Sequence, residues 1–132
     1  MKLHHIGYAV GDIETSERGF AALGFKRDGA PTEDERRNVR ILFMSSLDGT
    51  IIELVEPLNE NAPVVGSLAT QRGVAHPYHL CYTVADIEKC VADLKREGFV
   101  PISDIAPAPA IGSHDVCFLL SKNVGLIELV EE

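Results

Sequence analysis

Hydrophobic and polar positions alternate from the first residues onward. In "KLHHIGYAV", Ile6, Tyr8 and Val10 fall on one side, with Leu3, His5, Gly7 and Ala9 on the other, which predicts a half-buried strand. Asp12 then has the position of a helix N-cap, and Gly24 that of a terminator, so a short helix is expected between them. Seventy-four residues after His5 the pattern returns. Leu80, Tyr82 and Val84 oppose His79, Cys81 and Thr83, and Asp86 precedes a helix whose apolar stripe is Ile87, Val91 and Leu94, ending at Gly98. Three strand-like runs follow each helix, near Phe25–Asp28, Val39–Ser45 and Thr50–Val55, then near Phe99–Ser103, Asp115–Leu120 and Gly125–Val130.

The plan is therefore β-α-β-β-β twice, and the likeness extends beyond pattern to residue identity. His5 to Phe25 and His79 to Phe99 share eight of 21 positions, among them polar residues that strand or helix periodicity does not require. "IELVE" also occurs in both halves, at Ile52 to Glu56 and at Ile127 to Glu131. The expected organisation is a first module over residues 1–57, a linker over 58–76 with a short helix around Val64 to Gln71, and a second module over 77–132. Together they make one compact α+β domain.

Parity assigns the repeated polar residues. His5 and His79 point away from the bulky apolar faces, onto faces otherwise lined by small residues. Glu53 opposes Ile52 and Leu54, and Glu128 opposes Ile127 and Leu129, so both glutamates leave the leucine-bearing side too. An ionised carboxylate in a central strand is costly unless positive charge compensates it. Two imidazoles and two carboxylates, His5, Glu53, His79 and Glu128, suit one divalent transition metal, with nickel or cobalt ahead of zinc. Pairing of the two modules within one chain is expected, the linker being long enough to span a domain.

Composition narrows the partners. A net charge of −8 argues against nucleic acid and anionic membrane surfaces. No apolar run reaches membrane-spanning length, and "MKLHHIGYAV" lacks the long apolar region of a signal peptide. Cys81, Cys90 and Cys117 are few, odd in number and far apart, so reduced thiols and a cytoplasmic location are expected.

"HHIGYAV", "IELVEPLNENAPV", "YHLCYTVADIE" and "GLIELVEE" resemble the vicinal oxygen chelate superfamily, in the branch of bacterial glyoxalase I and methylmalonyl-CoA epimerase. The resemblance covers essentially the whole chain. It implies two βαβββ modules forming a curved mixed eight-stranded sheet, with helices outside and a metal site in the cleft. It implies a His from the first strand and a Glu or Gln from the last strand of each module as ligands, which here are His5, Glu53, His79 and Glu128. It also implies a metal-dependent lyase or isomerase that moves a proton next to a carbonyl through an enediolate, with Glu128 or Glu53 as base. The substrate would be a hemithioacetal or thioester, and the protein a homodimer.

Within that branch, epimerases carry a second acidic base near the entrance to the third strand. In "TEDERRNVRILF" the alignment by loop length places Arg36 or Arg37 there, beside Glu35. That departure ranks the glyoxalase I reaction first, conversion of a methylglyoxal–thiol hemithioacetal to a lactoyl thioester, and methylmalonyl-CoA epimerase second. A metal-free binding or resistance module is the alternative from another class; it would have no need of the four ligands. A ring-cleaving iron dioxygenase, with its two-His, one-carboxylate triad, is third. Arg36, Arg37, Arg40 and Lys122 are candidates for anionic groups of a substrate, and His4, His76 and His114 are expected to be peripheral.

Overall fold

The computed structural model describes all residues, 1–132, and the chain divides into two compact units: His5–Tyr78, and Met1–His4 together with His79–Glu132. The first unit contains β1 (Lys2–Ala9) from its fourth residue onward, α1 (Ile13–Ala22), β2 (Lys26–Asp34), β3 (Val39–Ser45), β4 (Ile51–Pro57) and α2 (Val64–Thr70). β5 (His76–Val84) starts at its end and continues into the second unit. There follow α3 (Ile87–Arg96), β6 (Val100–Pro101), β7 (Ala106–Ala108), a 3-10 turn at Pro109–Ile111, β8 (His114–Ser121) and β9 (Gly125–Glu131).

Each unit has the same topology. In the first the strand order is β2-β3-β4-β1, with β1 parallel to β4 and the other pairs antiparallel. In the second, β5 is parallel to β9, which pairs antiparallel with β8, and β8 in turn carries both β6 and β7. The bulky face of each sheet packs beneath its helix, as parity predicts. Val10, Leu42, Met44, Ile52 and Leu54 bury Ile13, with Tyr8, Phe20 and Phe25 around them. Val84, Cys117, Leu119, Ile127 and Leu129 do the same for Ile87, flanked by Val91 and Leu94.

Both helices begin where the sequence places them. Asp12 accepts a hydrogen bond from Thr15 N at 3.0 Å, and Asp86 from Lys89 N at 2.9 Å. Each helix has a second acceptor from the last strand of its own module: Ile13 N donates to Glu56 at 2.7 Å, and Ile87 N to Glu131 at 3.1 Å. The final glutamate of each "IELVE" therefore ties helix to sheet by filling one of the helix's open N–H groups. Past the helices, Gly24 (φ 94°) and Gly98 (φ 91°) take the left-handed conformation that closes the C-terminus.

The chain has nine strands where eight were expected. The Pro-rich segment containing "APAPA" forms β7, in which Ala106 and Ala108 are buried while Pro107 is exposed. An edge strand with one free side tolerates that proline. Further along the same edge of β8, β6 shrinks to two residues, Val100–Pro101, rather than Phe99–Ser103. In the first unit, β2 runs on past the expected Asp28 to Asp34, through a register irregularity between Asp28 and Thr32.

Candidate metal and acid–base site

In the first unit, β1 and β4 lie side by side with Gly7 opposite Glu53, so His5 and Glu53 extend from the same face on neighbouring strands. Their nearest atoms, His5 Nε2 and Glu53 Oε2, are 3.5 Å apart. The second unit repeats the arrangement: Cys81 stands opposite Glu128, and His79 Nε2 lies 3.1 Å from Glu128 Oε2. Each imidazole meets a phenylalanine edge-on. Phe43 is 5.2 Å from His5 between ring centroids, and Phe118 is 5.3 Å from His79. Both rings are direct strand partners of the glutamates, Phe43 of Glu53 and Phe118 of Glu128. Sequence reasoning passed over these two rings, although "LF" and "FL" lie at equivalent places in the two third strands.

All four polar residues are deeply buried, His5 at 1% exposure, Glu53 at 3%, His79 at 4% and Glu128 at 3%. Sequestered carboxylates need positive charge nearby, and a neutral imidazole supplies only a dipole. The donor set in each unit, one imidazole nitrogen beside one carboxylate oxygen, is the chemistry that nickel, cobalt or zinc accepts. The residues present fit such an ion.

One further buried carboxylate was missed in the sequence. Asp34 is 1% exposed, accepts from Arg37 N at 3.1 Å and pairs with the Arg37 guanidinium at 2.7 Å. An acidic residue followed three positions later by Arg in "DERRN" is a local turn signal that would have found it. The other candidates are dispersed. Arg40 pairs with Glu14 at 2.9 Å and reaches Glu56 at 3.9 Å, while Glu35, Arg36 and Lys122 are exposed. His114 is exposed beside Gly112. His76 begins β5, donating from Nδ1 to Val74 O at 2.8 Å and meeting Ser67 Oγ at 2.6 Å through Nε2. His4 is half-buried, and Cys81 and Cys117 are buried and in no disulfide, the Cys117 thiol pushed up by burial. No helix is long and apolar enough to cross a membrane.

A fold of paired βαβββ units, each with a buried His–Glu pair on its helix-free face, defines a class. The chain belongs to the Glyoxalase/Bleomycin resistance protein/Dioxygenase superfamily, whose family model matches residues 4–118. It is 32% identical to an ethylmalonyl-CoA/methylmalonyl-CoA epimerase of Cereibacter sphaeroides, over 97% of this chain and 96% of that protein. It is 33% identical to the mitochondrial methylmalonyl-CoA epimerase of Mus musculus, over 97% of this chain and 71% of the mouse protein. Among solved structures, it resembles a glutamate-to-glutamine variant of Streptomyces coelicolor methylmalonyl-CoA epimerase in complex with 2-nitronate-propionyl-CoA. The TM-score is 0.83 at 25% identity, covering 100% of this chain and 97% of that one.

The sequence-based order of reactions is thereby reversed, since these relatives are epimerases rather than glyoxalases. The stretch behind that order, residues 35–38, forms a turn before β3, with Glu35 and Arg36 exposed.

Proposed function

We propose that this protein is a metal-dependent isomerase of acyl-CoA thioesters, inverting the carbon beside the thioester carbonyl as a methylmalonyl-CoA epimerase does. The observation that carries the reading is the duplicated buried His–Glu pair, His5 with Glu53 and His79 with Glu128. It is joined by the epimerase relatives that match along essentially the full chain. The four side chains would hold one divalent metal between them. Such an ion supplies Lewis-acid polarisation of the carbonyl oxygen, stabilising negative charge as the neighbouring carbon loses its proton.

The chain's own part is to bind, to exclude water and to move that proton. Inversion requires the proton to leave one face and return to the other, which two acid–base groups accomplish. The buried acids of the molecule are Asp34, Glu53 and Glu128. Asp34 is occupied by Arg37, which leaves Glu53 and Glu128 for proton transfer. The small or aliphatic neighbours on the same faces, Gly7 and Ala9 in one unit and Cys81 and Val130 in the other, keep the surroundings apolar.

The test is a paired assay on metal-reconstituted protein. Deuterium from solvent is expected to enter the 2-position of methylmalonyl-CoA with loss of stereochemical purity, while lactoyl-thioester formation from methylglyoxal and thiol stays at background. Thioester formation without exchange would instead restore the glyoxalase reading.

A further inference from the structure

The two units repeat the wall beside their His–Glu pairs position by position, then diverge one step further out. In the first unit Asp28 stands opposite Phe43, the ring against His5, and Lys26 opposite Ser45. In the second, Ile102 N donates to Phe118 O at 2.9 Å, Phe118 being the ring against His79, and Val100 stands opposite Leu120. Directly paired residues share a sheet face, and so do alternate residues along a strand. Val100, Ile102 and Leu120 therefore lie on the face that bears Phe118, Glu128 and His79, where the first unit has Lys26, Asp28 and Ser45.

Three polar positions have become three large aliphatic ones, and these remain open, at 60%, 56% and 47% exposure. Packing does not explain them, because they belong neither to the core under α3 nor to the smaller cluster of Cys81, Ala108, Val116 and Val130 on the His–Glu face. Negative design of an edge strand would favour charge there, as the first unit has. An aliphatic strip retained against that tendency has something to bind.

We propose that Val100, Ile102 and Leu120 seat the slender, uncharged arm of an acyl-CoA, the methylene-and-amide chain between thioester sulfur and nucleotide. This deepens the proposed function and rests on it. Ile102 is two strands from Glu128, about 10 Å at ordinary strand spacing, a span that such an arm covers. Chemistry separates the thiol carriers too. Glutathione brings two carboxylates and an ammonium, which would lose hydration over aliphatic side chains and gain no partner. A second copy of the chain is the competing occupant. The strip presents on the order of 300 Å², the usual size of a functional patch on a monomer. A stable interface takes about 800 Å² per partner.

The experiment compares Val100→Asn/Leu120→Asn with the unsubstituted metal-loaded protein, on methylmalonyl-CoA and on the same acyl group carried by N-acetylcysteamine, whose arm stops short of the strip. Both sites are exposed, and thermal unfolding confirms that the fold is kept. The KM for the CoA thioester is expected to rise about tenfold, with kcat and the short thioester's kinetics unchanged. Equal effects on the two thioesters, no effect on either, or a change of sedimentation showing that the substitutions dissolve a dimer would overturn the proposal. Should the unsubstituted protein turn over neither thioester, the proposed function fails by itself, and calorimetric titration with CoA alone decides the strip. Binding weakened about tenfold by the substitutions sustains it; equal or absent binding overturns it.

Discussion

In the proposed function, Glu53 and Glu128 would each serve a cation and a proton at once. A carboxylate can do both, because one oxygen can face the ion while the other accepts a proton. Replacing Glu128 by Gln separates the roles, since the amide keeps the size and a coordinating oxygen but not the basicity. Glu128→Gln is expected to lower kcat by about a hundredfold or more while metal content stays near that of the parent protein. Loss of metal together with activity would make Glu128 a ligand only. The His residues differ in this respect: an alanine at His5 or His79 removes a donor outright and is expected to empty the site. At this scale the sequence was informative. Parity alone put His5, Glu53, His79 and Glu128 on the helix-free faces, because strand alternation leaves a polar residue no other choice. Asp34 was missed because strand parity does not reach it: its partner, Arg37, is set by a local turn rather than by sheet register.

At the scale of elements, the helices depend on two acceptors each, one local and one from the last strand. Glu56→Ala and Glu131→Ala each remove the distant acceptor of one helix, and each is expected to cost about 1 kcal/mol in urea unfolding. The two should add, since the caps share no partner. The local cap makes a pH-dependent contribution. The Thr15 hydroxyl and amide hold the Asp12 carboxyl below its ordinary value of 3.8. A folded-state value below the unfolded one means that the stabilisation is present above the unfolded value and is lost as pH falls through the folded one. Acid titration below about pH 4 should therefore loosen α1 in the parent protein, and Asp12→Asn should remove that step. Helices and the third and fourth strands of each module were legible because caps, glycine stops and aliphatic alternation are encoded locally. β7 and the second half of β2 were not. Their residues are Ala, Pro, Gly, Thr and acids, with little strand preference of their own, and pairing with β8 and β3 is what makes them strands.

For the molecule as a whole, duplication explains both what is repeated and what is not. The His–Glu pairs, the edge-on phenylalanines and the capping glutamates are kept in both halves, whereas the outer wall is charged in one and aliphatic in the other. The central claim is that the two pairs act on one ion rather than separately. Metal content and binding of cobalt(II) by the purified chain test this most directly, with His5→Ala and His79→Ala alongside. One equivalent per chain, with affinity falling about a hundredfold or more in either variant, is the result predicted. Two equivalents, each abolished by only one of the substitutions, or no tight binding at all, would contradict it.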